Sequence, residues 1–286
     1  MANPILTLAA RMARYLPAPL KQGFYKLGPL TKLMRGVLNQ ATPEGLTTIK
    51  IAGGLLAGVT SEIDLKSEKD YWLGTYEIDL QNALSALVRP GMVAYDVGAN
   101  VGYVSLILGK LVGEEGQVVC LEANPENVKR LEKNLQLNEK LSQFTLIGKA
   151  VADKSGAIEF FVHESDDMGK VAGSAGRQEN YTEALAIQAV SLDDLVYKDN
   201  LPAPHLIKID IEGGEVLAFP GMQQLLKKTQ PLVLVELHGP ESAAAAWTTL
   251  IAADYTLHLM KAGFPQVDSV EELDWKAYLI GMSLHG

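Results

Sequence analysis

Apolar positions along the chain change period twice. Residues 4–38 carry them at helical spacing: Ile5, Leu8 and Met12 form one stripe, Leu20, Phe24 and Leu27 a second, and Leu30, Leu33 and Val37 a third, with Pro17 and Pro19 breaking the run. Between residues 47 and 65 the period shortens. Ile49 and Ile51, then Val59, Ile63 and Leu65, flank Gly53, Gly54 and Gly58, which is the pattern of a small β-hairpin. A helix capped near Thr75 then turns Leu80, Leu84 and Leu87 inward and stops before Pro90 and Gly91.

From residue 92 onward strands and helices alternate. Met92–Val97 reads as a strand, Val101–Leu111 as a helix and Gln117–Glu122 as a second strand. Asn124 caps the next helix, with Pro125 at its first position and Val128, Leu131 and Leu135 as its buried stripe. Phe144–Val151 reads as a third strand. Residues 157–163 and 186–190 read as extra strands around a polar, Gly-rich loop at 166–183, whose composition suits either a lid or a surface hairpin. Leu206–Ile211, a helix from Val216 to Lys228 and the apolar strand Leu232–Leu237 follow. Near-continuous apolar runs of this kind belong to strands covered on both faces of a parallel sheet. A helix over Ala243–Ala253 leads to strand Tyr255–Met260. The final strand, Tyr278–Met282, arrives after a connection short on helix, so it is expected to run antiparallel beside its predecessor. The alternation predicts an α/β fold, a Rossmann-like sheet with helices on both faces. Residues 1–74 form an N-terminal extension of helices and hairpin, and residues 75–286 the catalytic domain.

Composition narrows the function. Hydrophobic residues make up 48% and charged residues 21% of the 286, a globular balance. The net charge of −9 disfavours a nucleic-acid phosphate track, which needs concentrated Lys and Arg. The single cysteine, Cys120, permits no disulfide within the chain, and a reducing, cytoplasmic setting fits. Residues 1–40 depart from this balance: Arg11, Arg14, Lys21, Lys26, Lys32 and Arg35 stand there with no acidic residue. Either the helical stripes pack on the catalytic domain or on a second copy in a homodimer, or the segment makes a weak contact with an anionic membrane surface.

The turn between the first core strand and its helix reads Asp-Val-Gly-Ala-Asn-Val-Gly at 96–102. Gly98 and Gly102 remove Cβ atoms that would block a ligand at the strand's carboxyl end. A dinucleotide fingerprint counted from Gly98 would want glycine where Asn100 and Tyr103 stand. Asp96 suits a cation better than a pyrophosphate, and S-adenosylmethionine carries a sulfonium and an ammonium. Glu122, at the end of the second strand, is placed to accept hydrogen bonds from ribose hydroxyls. Asp96, Gly98, Asn100, Gly102 and Glu122 are therefore the candidate cofactor residues. Tyr76 and Glu77, with Tyr71 and Trp72, either pack over the cofactor or fix the extension to the core.

Beyond the turn, Lys208, Asp210 and Glu212 alternate at the end of the fourth core strand, and Glu236 and His238 end its neighbour. Ligands of open α/β sheets lie beyond such strand ends. His238 is the candidate base for removing a proton from a methyl acceptor, since an ordinary imidazole titrates near 6.5. Asp210 is the alternative base. Asp210, Glu236 and His238 also form a set that permits a divalent metal without requiring one. Lys208 and Asp210 have the further reading of a strand-end salt bridge, and Glu212 that of a helix N-cap. His163, His205, His258 and His285 stand in no such context.

The blocks at 96–102, Glu122–Glu126, Ser191–Leu195, Ile207–Glu215 and Val235–His238 resemble the FkbM family of methyltransferases, in that family's order over about residues 75–260. Ala123 departs from the proline more usual there. The resemblance implies a class I methyltransferase fold, S-adenosylmethionine as cofactor, and O-methylation of a sugar, lipid-linked or secondary-metabolite acceptor. Two other readings compete. A nicotinamide-dependent oxidoreductase is opposed by the missing glycines, and a non-catalytic, membrane-associated binding module by the intact Asp96, Glu122 and Asp210.

Overall fold

The computed structural model describes residues 42, 44–163, 169–175, 181–274 and 276–284. The helical stripes expected over 4–38, the basic segment 1–40, residues 166–168 and 176–180 of the Gly-rich loop, and His285 lie outside them. The chain divides into two compact units, Met1–Gln81 with Gln136–Asn138, and Asn82–Leu135 with Glu139–Gly286.

In the first unit, β1 (Leu46–Lys50) and β2 (Thr60–Asp64) pair antiparallel as the expected hairpin. Ile51, Leu56, Val59, Ile63, Leu65 and Trp72 are its buried apolar side chains. A short helix, α1 (Lys69–Leu73), follows, and α2 (Ile78–Leu87) begins within this unit. The Thr75 hydroxyl donates to Asp70 Oδ1 at 3.2 Å. Leu80 and Leu84 are buried as expected, but Val88 is buried where Leu87 is only half-buried.

The second unit contains β3 (Val93–Val97), α3 (Tyr103–Val112), β4 (Gln117–Leu121), α4 (Pro125–Gln136) and β5 (Gln143–Ile147). It continues with β6 (Ala150–Val151), β7 (Gly156–His163), β8 (Gly169–Val171), β9 (Tyr181–Val190) and α5 (Leu192–Tyr197). Then come β10 (Leu206–Ile209), α6 (Glu215–Ala218), a 3-10 turn at Phe219–Met222, α7 (Gln223–Lys228) and β11 (Leu232–Glu236). The chain closes with α8 (Pro240–Ile251), β12 (Tyr255–Leu259), β13 (Gln266–Val267) and β14 (Tyr278–Ser283).

The main sheet runs β13-β12-β14-β11-β10-β3-β4-β5. Its β5-β4-β3-β10-β11 core is parallel, and β14 enters antiparallel between β11 and β12. This is the Rossmann-like sheet expected from the alternation, including the antiparallel last strand, and it is the class I methyltransferase arrangement that the resemblance implies. Tyr95, Val97, Val119, Leu121, Ile207, Ile209, Val233 and Val235 join one large apolar cluster with Phe219, Met222 and Leu250. On α3, eight of the ten residues are buried, so the helix lies within the packing and not on a wetted surface. No helix among the described residues is long and apolar enough to cross a membrane.

Two expected elements break where local chemistry demands. The strand expected over Phe144–Val151 ends at Ile147; Gly148 and Lys149 turn, with Lys149 N–H donating to Ile147 O at 2.9 Å. β6 then joins a second sheet, ordered β6-β9-β7-β8, and β8 is a strand the Gly-rich composition concealed. The helix expected from Val216 to Lys228 is divided at Pro220, which cannot donate to the helical ladder. Gly221 is pressed so close to the chain that a Cβ there would sit 2.2 Å from Ala152 O. The cap at Asn124 is present: its Oδ1 accepts from Glu126 N–H at 3.0 Å.

Candidate active site

β3 and β10 lie side by side with Asp96 opposite Lys208, so the glycine turn and the Lys208–Glu215 block emerge at the same end of the sheet. The turn is built from left-handed residues: Gly98 at φ +79, Asn100 at φ +50 and Gly102 at φ +94. A Cβ on Gly98 would lie 1.8 Å from the carbonyl oxygen of Asp210, and one on Gly102 would lie 2.7 Å from Leu131 Cδ1. Gly98 is thus required by the close approach of the loop after β10, and Gly102 is favoured by its left-handed backbone, with the end of the Leu131 side chain beside it.

Asp96 is wholly buried behind this turn. Ser105 Oγ donates to its Oδ2 at 2.6 Å, and Lys208 Nζ stands 3.2 Å from its Oδ1. Lys208, 3% exposed, also donates to Gly98 O at 2.8 Å and lies 3.6 Å from Asp210 Oδ2. One ammonium therefore ties together the carboxylate, the turn and the acidic loop. The strand-end ion pair weighed for Lys208 is present, and with it Asp96 and Lys208 act on the site by holding the turn.

Glu122 is placed differently. Its Oε2 accepts from Asn100 N–H and its Oε1 from Asn124 N–H, both at 2.8 Å. These bonds fix the carboxylate at the mouth of the turn. A carboxylate offers about four acceptor sites, so it can take further donors besides these. Two aligned acceptors match the two hydroxyls of a ribose. Burial raises the Glu122 carboxyl above its ordinary range, against the opposing pull of the Asn124 and Asn100 hydrogen bonds. Added donors favour its charged form.

Across the turn, at the ends of β10 and β11, Asp210, Glu212 and Glu236 surround His238. His238 Nε2 lies 3.8 Å from a carboxylate oxygen of each. The fourth acid, Glu215, was not singled out in the sequence, although it closes the Ile207–Glu215 block. It is fully buried and accepts from Ser242 Oγ at 2.8 Å and from Ile211 N–H at 3.2 Å. His238 Nδ1 meets the same carboxylate at 3.1 Å. Burial works against a charge on His238, but the Glu215 hydrogen bond and the charges of Glu215, Asp210 and Glu212 outweigh it and push the imidazole up to about 9. A carboxylate on Nδ1 raises the basicity of Nε2, and spacing alone could not reveal this partner. Glu236 is pushed up to about 7 by burial and then by the Asp210 charge. Asp210, Glu236 and His238 offer ligand atoms within 4.8 Å of one another.

Tyr76 and Glu77 belong to the first unit, outside the unit that contains this cluster. The Tyr76 ring packs edge-on against Tyr71 with centroids 4.6 Å apart, and Glu77 adopts φ +43. His205 and His258 have structural partners, Val93 N–H and the Phe264 carbonyl. Of the Gly-rich loop, Ala175 N–H donates to Gly213 O at 2.9 Å, which ties that stretch to the turn after Glu212.

The hexuronic acid methyltransferase AglP of Haloferax volcanii is 26% identical over 146 residues, which cover 51% of this chain and 56% of that protein. The crystal structure of methyltransferase FkbM from Methylobacillus flagellatus KT is 17% identical at a TM-score of 0.45, covering 74% of this chain and 52% of that one. Fibrillarin of Aeropyrum pernix, in complex with natively bound S-adenosyl-L-methionine, is 10% identical at a TM-score of 0.40, covering 70% and 71%. The chain spans little more than half the length of the first two. Residues 96–262, more than half of the chain and including all but Tyr76 and Glu77 of the candidate site residues, match the Methyltransferase FkbM domain, and the protein belongs to that family.

Proposed function

We propose that the protein is an S-adenosylmethionine-dependent methyltransferase that methylates a hydroxyl group of a sugar, free or carried on a glycan, lipid or secondary metabolite. We read residues 75–286 as its catalytic domain. The observation that carries the reading is one juxtaposition. A ribose-matched carboxylate, Glu122, and a polar cluster, Asp210, Glu236 and His238, flank a single glycine turn at the carboxyl end of one parallel sheet. The sugar acceptor draws support from family membership and from the hexuronic acid acted on by the haloarchaeal relative.

S-adenosylmethionine, held by the glycine turn and Glu122, would supply a methyl group on a sulfonium whose sulfur keeps the C–S electron pair as the leaving group. Glu122 receives the ribose hydroxyls. The Gly98–Gly102 turn, stiffened from behind by Lys208, gives the ligand a backbone surface that does not reorganise. The acceptor oxygen forms the new O–C bond and releases its proton at the Asp210, Glu236 and His238 cluster. Alignment in a dry site is the main service such a displacement needs. Nicotinamide chemistry finds no matching support, because Asn100 and Tyr103 occupy the positions its phosphate turn would give to glycine.

Calorimetry with S-adenosylmethionine, S-adenosylhomocysteine and NAD tests the cofactor. Transfer of isotope-labelled methyl to uronic acid and neutral hexose glycosides, with the product placed by NMR, tests the acceptor. Binding of NAD without either methionine derivative sinks the proposal. Label on nitrogen or carbon overturns the O-methyl assignment alone.

A further inference from the structure

His238 is nine-tenths buried, and its two ring nitrogens have different surroundings. Nδ1 is engaged by the fully buried Glu215, which Ser242 and the Ile211 N–H hold in place. Nε2 has no hydrogen-bond partner among the described residues. It is aimed into a ring of carboxylate oxygens from Asp210, Glu212 and Glu236, each at 3.8 Å, beyond hydrogen-bond reach. Three acids thus face one buried histidine nitrogen without bonding to it, which leaves that nitrogen open to a ligand they could share.

We infer that Asp210, Glu236 and His238 bind a divalent cation of the magnesium–manganese class, with Glu212 at the rim. The inference rests on the methyltransferase reading of this site and deepens it. Three features support it besides the acidic cluster. A metal-ligating histidine almost always gives its other ring N–H to a carboxylate or carbonyl, and Glu215 occupies that position on Nδ1. His238 Nε2 stands 3.8 Å from an oxygen of Asp210 and of Glu236, and all three ligand atoms lie within 4.8 Å of one another; neighbouring ligands of an octahedral ion with bonds of about 2.1 Å are about 3 Å apart, so side-chain movements of roughly 1 Å bring the set around an ion. Two carboxylates and one imidazole form a mainly oxygen donor set, which suits magnesium and manganese better than the thiolate or multi-histidine sets of zinc. The cation competes with the Nε2 proton for one lone pair, so binding expels that proton. A hydroxyl oxygen brought to such an ion becomes more acidic, and its proton passes to water while the three side chains serve as ligands.

Manganese(II) alone is the probe. The full-length protein, freed of metal by chelator, is titrated with Mn²⁺ while the free-ion electron paramagnetic resonance signal is followed. The expected result is one site per chain. Its affinity drops at least tenfold in Asp210→Asn and in Glu236→Gln, both near-isosteric. Electron spin echo modulation should show a directly bound ¹⁴N nucleus that disappears in His238→Ala. Circular dichroism and melting temperature establish that each variant is folded. If Mn²⁺ binding is absent, unchanged in the folded variants, or free of nitrogen modulation, the inference is overturned. S-adenosylmethionine calorimetry on the same metal-free protein separates the two readings. Cofactor binding without Mn²⁺ binding removes the metal and keeps the methyltransferase, whereas Mn²⁺ binding without cofactor binding does the reverse.

Discussion

Replacing Lys208 by methionine removes the charge on which the turn depends while keeping an unbranched side chain of similar reach. In the native protein the ammonium sits 3.2 Å from Asp96 Oδ1 and donates to Gly98 O at 2.8 Å, with both side chains essentially out of solvent. Without it Asp96 keeps one hydrogen bond, from Ser105. Leaving one member of a buried ion pair uncompensated costs about 3–5 kcal/mol. The orphaned Gly98 carbonyl adds about 1–3 kcal/mol, and protonation of Asp96 limits the total. We therefore expect Lys208→Met to lose about 4 kcal/mol in urea denaturation at neutral pH. The double variant Lys208→Met/Asp96→Asn, which removes the stranded charge, should recover at least about half of that loss, because the two sites are directly coupled. A Lys208→Met protein within about 1 kcal/mol of wild type would refute the reasoning, as would a double variant no more stable than the single one.

Glu122→Ala should weaken S-adenosylmethionine binding about ten- to hundredfold, the equivalent of charge-assisted bonds worth about 1.5–3 kcal/mol; unchanged affinity by calorimetry in a folded variant takes Glu122 out of the site. Gly98→Ala combines φ +79 with a Cβ 1.8 Å from a backbone oxygen, so it should cost on the order of 3 kcal/mol or prevent folding; a melting temperature equal to wild type contradicts the close approach. In metal-free protein, His238 is raised from 6.5 to about 9, so its contribution to stability is complete below about pH 6.5 and is lost as pH rises through about 9. Glu215→Gln should flatten that part of the urea-melt pH profile, and an identical slope in both proteins argues against the Glu215–His238 bond.

Local rules were enough to read much of this molecule. The alternation of apolar strands with amphipathic helices after residue 92, the cap at Asn124 and the antiparallel last strand all express short-range physics, and they reappear in the sheet order. The glycine turn, Glu122 and the Asp210–Glu236–His238 set were likewise visible, because strands of one parallel sheet deliver their carboxyl ends to one edge. What sequence could not decide was how these side chains divide the work. Asp96 and Lys208 carry the charges of a ligand site, yet their burial behind the turn makes them its fastening. His238 reads in the chain as an ordinary imidazole, but Glu215, 23 residues earlier and on another element, engages its Nδ1 and raises its basicity. Gly98 needs its missing Cβ because of Asp210, more than a hundred residues away. Periodicity and propensity act over a few residues and so are written in the chain itself. Burial, charge pairing and close approach arise only where distant segments meet, so they belong to the tertiary structure.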